Sequence, residues 1–260
     1  MGAGHVRRDA EGLFVDGRSA VHRLPAAAKL AGLLAFVTLV AVTPRTAVAA
    51  LAVDGAVVLA VVAVAGLALP TVAARLAAIA PFVAFALALP LLGTGDRVEV
   101  GAWSLSVDGL WAMWGIVAKA AIGAGAGIVV TATTRLPDLL AGLAVLRVPR
   151  PIVAILAVML RYVDLLSDDL GRMRRAMVAR GHDPRWLWQA KPIAGSVGSL
   201  FVRTYERGER VHLAMVARGF DGTVPAATRA WPPGTIPTSA WAALPAIVAA
   251  VGLGVASIAR

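Results

Sequence analysis

The 260-residue chain contains no cysteine, and only 15% of its residues are charged. The absence of cysteine excludes disulfides and thiolate chemistry, and it removes any evidence about redox compartment. The charged share lies well below the quarter that is usual in soluble domains, whereas 59% of the residues are hydrophobic. This composition indicates a membrane protein.

Signals for catalysis are also missing. The chain has no G-x-x-x-x-G-K-[ST] motif, which excludes a phosphate-binding loop of that kind. Its histidines lack the spacing of metal ligands; they are His5, His22, His182 and His212. A membrane-bound enzyme acting on lipid phosphates would lack a recognisable nucleophile, base or metal cluster. We therefore expect no catalytic residue, no protein-bound metal and no cofactor.

Long apolar runs dominate the first half of the chain. About 20 apolar residues suffice to cross a bilayer, and four runs come near or above that length before residue 132. Thr43–Thr46 and the stretch from Pro70 to Arg75 are predicted turns, and a polar loop at 93–109 carries a net charge of −2. The predicted spans are 26–42, 47–69, 76–92 and 110–131, with a fifth at 240–258.

The stretch 133–233 has a different character, with 15 of the 25 Lys and Arg residues against 8 acidic ones. Short apolar pieces alternate with charge clusters, as in helices that lie on a membrane face. A long helix is predicted from Pro151 to Arg180, about 45 Å long at 1.5 Å per residue, and a second from Ile193 to Arg218. Each is followed by a glycine, as helix ends favour.

The fold prediction is an all-α integral membrane protein with about five transmembrane helices and further cytoplasmic helices inserted before the last span. Residues 1–22 lack the apolar run of a signal peptide. The predicted regions are a cytoplasmic tail (1–25), four transmembrane helices (26–132), a cytoplasmic or interfacial helical domain that holds both copies of Ala-Arg-Gly (133–233) and a last transmembrane helix (234–260).

The net charge of +10 would suggest nucleic acid as a partner of a soluble protein. In an apolar chain the positive-inside rule explains the charge better, so no nucleic acid is expected as a partner. The rule places the basic tail and the 133–233 region in the cytoplasm and the acidic 93–109 loop outside. Tryptophans are expected to anchor the chain at both interfaces, namely Trp103, Trp111 and Trp114 on one side and Trp186 and Trp188 on the other.

Three charged residues fall within the predicted spans. Asp54 and Lys119 lie deepest, and such residues are functional candidates by default. The alternatives are a structural pair or an Asp54 near an interface. If both are functional, the chain could be a stand-alone secondary transporter or channel with a polar path through them. Lys29 lies in a first turn, where a long side chain can reach the interface. The Gly123–Gly127 run favours close helix packing.

An eight-residue segment occurs twice. Ala176–Asp183 returns 38 positions later as Ala214–Asp221, with seven of eight residues identical. Cations complement the dipole at a helix C-terminus, which would explain one arginine. It does not explain the recurrence of methionine, valine and aspartate. A guanidinium beside an adaptable methionine and small alanines is suited to a groove on another protein.

This duplicated segment resembles the two Ala-Arg-Gly motifs of the T component, the transmembrane coupling subunit of energy-coupling factor ABC importers. The resemblance is dense over residues 133–224 and favours the cobalt-type, CbiQ-like branch. The matching motifs are Ala179-Arg180-Gly181 and Ala217-Arg218-Gly219, and the further matching stretches are Arg135–Leu140, Leu146–Pro149, Leu160–Tyr162, Gly198–Arg203 and Glu206–Met215.

The resemblance implies a protein of the bacterial inner (cytoplasmic) membrane, crossing it several times and lacking enzymatic activity of its own. Each motif would dock into one of two ABC ATPase subunits, and the motion would pass to a substrate-binding (S) membrane subunit for cobalt or nickel. Positions Met177, Asp183, Met215 and Asp221 would support the two motifs. His182 stands where the second copy has Phe220, so the two ends need not bind with equal strength.

Overall fold

The computed structural model describes residues 13–93, 96–100, 103–181 and 191–220, together with residue 250. These residues are almost wholly helical, which confirms the all-α prediction. The chain divides into two compact units, Phe14–Gly142 with Trp231–Arg260, and Met1–Leu13 with Leu143–Ala230. The predicted last span at 240–258, apart from residue 250, and most of the N-terminal tail lie outside the described residues.

The helices are α1 (Ala20–Arg23), α2 (Ala26–Val42), α3 (Val48–Ala65), α4 (Leu69–Leu76), α5 (Ala80–Ala86), α6 (Leu89–Leu92), α7 (Val107–Thr133), α8 (Leu136–Val145), α9 (Arg150–Ala179) and α10 (Lys191–Ala217). A 3-10 turn at Ala77–Ile79 joins α4 to α5. The strands β1 (Arg97–Val100) and β2 (Trp103–Ser106) form an antiparallel hairpin in the stretch that the sequence predicts as a loop.

Helix α7 is the centre of the first unit, where it packs against α2, α3, α4, α5 and α6. Its inward face carries Ile122, Val129 and Ala132, which meet apolar side chains of the helices around it. Those neighbours include Phe36, Val40, Leu51, Val58 and Val62.

Glycines allow two close approaches to α7. A Cβ added at Gly109 would lie 2.5 Å from the carbonyl oxygen of Leu89, and one at Gly125 would lie 3.0 Å from a methyl group of Val58. Gly123 and Gly127 have nothing within 4 Å of the corresponding position. Within the Gly123–Gly127 run, close helix packing is therefore confined to Gly125.

The membrane prediction is supported by three helical stretches that are long and apolar enough to cross a bilayer, Val48–Ala65, Leu69–Leu92 and Val107–Thr133. Helix α2 is apolar but shorter, at 17 residues. The turn predicted between Pro70 and Arg75 is wrong, because Pro70 lies in the first turn of α4. Proline is tolerated there since the first helical N–H groups have no intrahelical acceptor.

Lys29, which the sequence places in the first turn of a span, packs inside the first unit. It is buried, and its Nζ donates to the carbonyl oxygen of Thr133 at 2.9 Å and to Oγ1 of Thr134 at 3.0 Å. These acceptors lie at the C-terminus of α7, where the helix dipole favours a cation. The contact holds the start of α2 against the end of α7.

The second unit contains α9 and α10. Helix α9 is continuous over 30 residues, which confirms the long helix predicted there. Near its end, Met177 Sδ lies 3.5 Å from the hydroxyl of Ser196. Earlier in the helix, Asp169 Oδ2 lies 3.5 Å from a guanidinium nitrogen of Arg207. Because the later residue of α9 meets the earlier residue of α10, the two helices run antiparallel.

Candidate partner-binding site

The first Ala-Arg-Gly motif closes α9. Ala179 is the last helical residue, and the backbone N–H of Arg180 still donates to the carbonyl of Met177 at 3.1 Å. Gly181 then takes a left-handed conformation with φ of 79°, and its N–H donates to the carbonyl of Val178 at 2.9 Å. Position 181 therefore favours a residue without a Cβ.

The second motif closes α10 in the same way. Gly219 has φ of 80° and its N–H donates to the carbonyl of Val216 at 2.9 Å, while the N–H of Phe220 donates to that of Met215 at 3.0 Å. These two bonds form a Schellman cap. The prediction that each long helix ends at its glycine is confirmed at both motifs.

Exposure repeats along with sequence. At each of the six positions from Ala176 to Gly181, the residue and its counterpart 38 positions later are either both exposed or both half-buried. Val178 and Val216 are 50% and 52% exposed, both arginines are exposed, and both methionines are half-buried. The valine and arginine side chains are therefore presented outward at both helix ends.

Helix capping explains only part of the repetition. It accounts for Gly181 and Gly219, because both have positive φ. A cation also complements the helix dipole at each end, but within the described part of the chain neither arginine guanidinium has an ion-pair or hydrogen-bond partner.

The supporting positions divide into two groups. Met177 contacts Ser196 of α10, so this side chain takes part in pairing the helices as well as lying beside the motif. Met215 is half-buried at the matching place. Asp183, Asp221 and His182 lie outside the described residues, as do Trp186 and Trp188.

The antiparallel arrangement sets the two motifs far apart. Counting from the contact of Asp169 with Arg207, each motif arginine lies 11 residues further along its own helix. At 1.5 Å per residue, the two ends are separated by about 33 Å along the helix axes. The pair thus presents the same chemical group at two distant and opposite ends.

Asp169 is a residue that the sequence pattern did not single out. Its carboxylate accepts hydrogen bonds from Arg172 on the same helix and from Arg207 on α10. The bond from Arg172, helped by the charges of both arginines, holds the pKa of Asp169 below its ordinary value. The carboxylate is therefore ionised at physiological pH and can hold both guanidinium groups.

The two candidate charges of the predicted spans are not paired. Lys119 Nζ donates to the carbonyl of Ala41 at 2.7 Å, while Asp54 is 1% exposed and neither of its oxygens has a hydrogen-bond partner among the described residues. The structure therefore gives no support to a structural pair of Asp54 and Lys119. In the same described stretches, no group of three or more acidic, histidine or cysteine side chains is placed to hold a metal ion.

Comparison with known proteins adds to this geometry. The long apolar helices and the exposed, matching ends of α9 and α10 define an all-α membrane protein with a duplicated surface feature. Residues 17–228 match the family model described as CbiQ, cobalt transport protein, so the chain belongs to the CbiQ family. This is a family of transport proteins rather than of enzymes.

A curated relative agrees with this assignment over a shorter stretch. The chain is 33% identical over 91 residues to the cobalt transport protein CbiQ of Rhodobacter capsulatus. The match covers 35% of this chain and 37% of the relative, so it spans little more than a third of either protein.

Proposed function

We propose that this protein is the transmembrane coupling subunit of an energy-coupling factor importer, which transmits motion from two ABC ATPase subunits to a substrate-binding membrane subunit. The observation that carries the proposal is the pair of exposed, equivalent arginines at the ends of α9 and α10. Two identical binding points favour two copies of one partner or two closely related partners, because one kind of groove would accept both.

The long helices suit a mechanical role. A continuous helix such as α9 transmits a displacement of its end along its length, whereas a flexible loop would absorb it. When the two ATPase subunits approach each other on binding ATP, they would push or pull on Arg180 and Arg218. The angle between α9 and α10 would then change. The protein contributes no chemistry to ATP hydrolysis in this scheme.

The substrate-binding subunit would bind to exposed apolar side chains of the same two helices. On α10, Val197, Phe201 and Tyr205 are 52%, 68% and 64% exposed and follow the four-residue spacing of one helix face. On α9, Ile152, Ile155 and Met159 are similarly exposed. Apolar faces of this kind mark interaction sites.

The proposed topology keeps the regions set out from the sequence. The N-terminal tail and the 133–233 coupling-helix domain lie in the cytoplasm, the span count is five, and the protein resides in the bacterial cytoplasmic membrane. The cargo would be cobalt or nickel. The family description and the name of the relative support cobalt, and the metal would be bound by the partner subunit.

Uptake by reconstituted vesicles tests this function. We expect proteoliposomes that contain this protein, both ATPase subunits and the substrate-binding subunit to accumulate cobalt when ATP is present, as read by a cobalt-sensitive dye trapped inside. Vesicles that contain this protein alone should take up none, because the energy and the metal site both belong to partners. Complete vesicles supplied with ADP are the control.

The same experiment judges the alternative of a stand-alone transporter or channel. Cobalt uptake by this protein alone, lost in Asp54→Asn or Lys119→Gln, would contradict the coupling function. It would establish a polar path through these residues instead.

A further inference from the structure

The similarity of α9 and α10 extends further back than the eight repeated residues. With the same offset of 38, Arg172 corresponds to Arg210, and Asp168 corresponds to Glu206. Each helix thus carries an acidic residue four positions before an arginine, two turns or more ahead of its Ala-Arg-Gly motif. The correspondence thus reaches back to residue 168, so the segments 168–181 and 206–219 can be compared as a pair and their symmetry axis located.

The axis is located by one contact. Asp169 corresponds to Arg207 under the offset, and these two residues touch each other across the helix pair at 3.5 Å. In two antiparallel segments related by a twofold axis, equivalent positions meet only where that axis crosses the pair. The pseudo-twofold axis of α9 and α10 therefore passes close to the ion pair of Asp169 with Arg207.

At the axis the two helices carry different residues, whereas in the repeated segment their residues are nearly all identical. Identical charged residues at an axis would face each other and repel, whereas aspartate on one helix and arginine on the other attract. Arg172 occupies Oδ1 of Asp169, which leaves Oδ2 for Arg207. The Asp169 side chain is only 19% exposed, so the carboxylate is held on two sides within the seam between the helices.

We propose that Asp169 and Arg207 are positioning residues that fix the register of α9 against α10 at the symmetry axis. The two arms, which are the helix segments from this axis to Arg180 and to Arg218, are thereby kept equal in length. This inference rests on the proposed coupling function, because equal arms matter only if two ATPase subunits dock at the two arginines. Each arm is 11 residues, or about 16 Å. A slip of one helical turn, about 5.4 Å, would change the distance between the two docking arginines by the same amount.

The register can be measured directly because the chain lacks cysteine. Val178→Cys and Val216→Cys, both at half-exposed and equivalent positions, can carry spin labels for pulsed dipolar distance measurements on the full-length protein. We expect a narrow distance distribution for the protein with Asp169 and Arg207 intact. Arg207→Gln should broaden it or add a second peak shifted by about 5 Å, one helical turn.

Matched variants separate register from general damage. Arg207→Lys keeps a cation and should retain the narrow distribution. Arg172→Gln removes only the contact within α9 and should leave the main peak in place. Asp169→Asn, which keeps the side-chain shape, should reproduce the broadening if Arg207→Gln does not fold. Partly exposed ion pairs contribute little to stability, so the variants are expected to fold.

The measurement also distinguishes failure of this inference from failure of the coupling function. An unchanged distance distribution in both Arg207→Gln and Asp169→Asn would overturn the positioning role, whatever the partners are. If the distribution broadens, the assembled importer with Arg207→Gln should transport less cobalt per ATP hydrolysed while still binding its ATPases. Binding of ATPases that does not depend on Arg180 and Arg218 would instead count against the coupling function.

Discussion

Replacing Arg180 and Arg218 together by alanine is expected to abolish stable association with the ATPase subunits. Each arginine is exposed at a helix end and is proposed to become buried in an ATPase groove. Truncating one member of a buried, hydrogen-bonded charge pair costs about 2–5 kcal/mol, which lowers affinity roughly 30-fold to several thousand-fold at each end. Co-purification of the ATPase subunits with the detergent-solubilised protein measures the effect.

The control for this experiment lies on the same helix. Arg175 is exposed and five residues before Arg180, so Arg175→Ala removes the same charge without touching either motif and should leave ATPase binding intact. The single variants need not be equal, because Phe220 follows one motif and His182 the other. Undiminished ATPase binding by the double variant would refute the docking role of both arginines.

Gly109→Ala is expected to destabilise the membrane-embedded unit more than any other single methyl group that can be added to α7. The new Cβ would lie 2.5 Å from the carbonyl oxygen of Leu89 and 2.8 Å from Cα of Pro90. Both are backbone atoms of α6, so the helices must move apart. Overpacking of this kind typically costs about 1–3 kcal/mol, and thermal unfolding in detergent should show a lower midpoint.

Gly123→Ala is the matched control, since it is the same substitution in the same helix with nothing within 4 Å of the added atom. Alanine is favoured over glycine in a helix interior by about 1 kcal/mol, so this variant should be unchanged or slightly more stable. Equal unfolding midpoints for Gly109→Ala and Gly123→Ala would show that α6 and α7 do not approach each other as closely as the structure has them.

The sequence predicts well those features that local chemistry determines. Apolar runs predict the long apolar helices of the first unit, and a glycine after a periodic segment locates the ends of α9 and α10, because a left-handed residue there favours glycine. The turn proposed at Pro70 is wrong for a local reason as well, since proline fits the first turn of a helix as readily as it fits a turn.

Contacts between segments that are far apart in the sequence cannot be predicted from local patterns. Lys29 lies 104 positions from its acceptor Thr133, and no local pattern indicates that this lysine caps α7. Nor does the sequence show that Asp54 and Lys119 are not paired. The contact of Asp169 with Arg207 lies outside the eight repeated residues, so the repeat alone does not indicate it. Extending the offset to the whole helices aligns these two residues.

Photo-crosslinking in the assembled importer tests the central claim most directly. A photoreactive amino acid at position 178 or 216 lies beside one motif and is half-exposed in the structure of the chain by itself. The account predicts that each position crosslinks to an ATPase subunit when the complex is assembled. Crosslinks from neither position to a nucleotide-hydrolysing subunit, with both helix ends accessible to solvent, would contradict it.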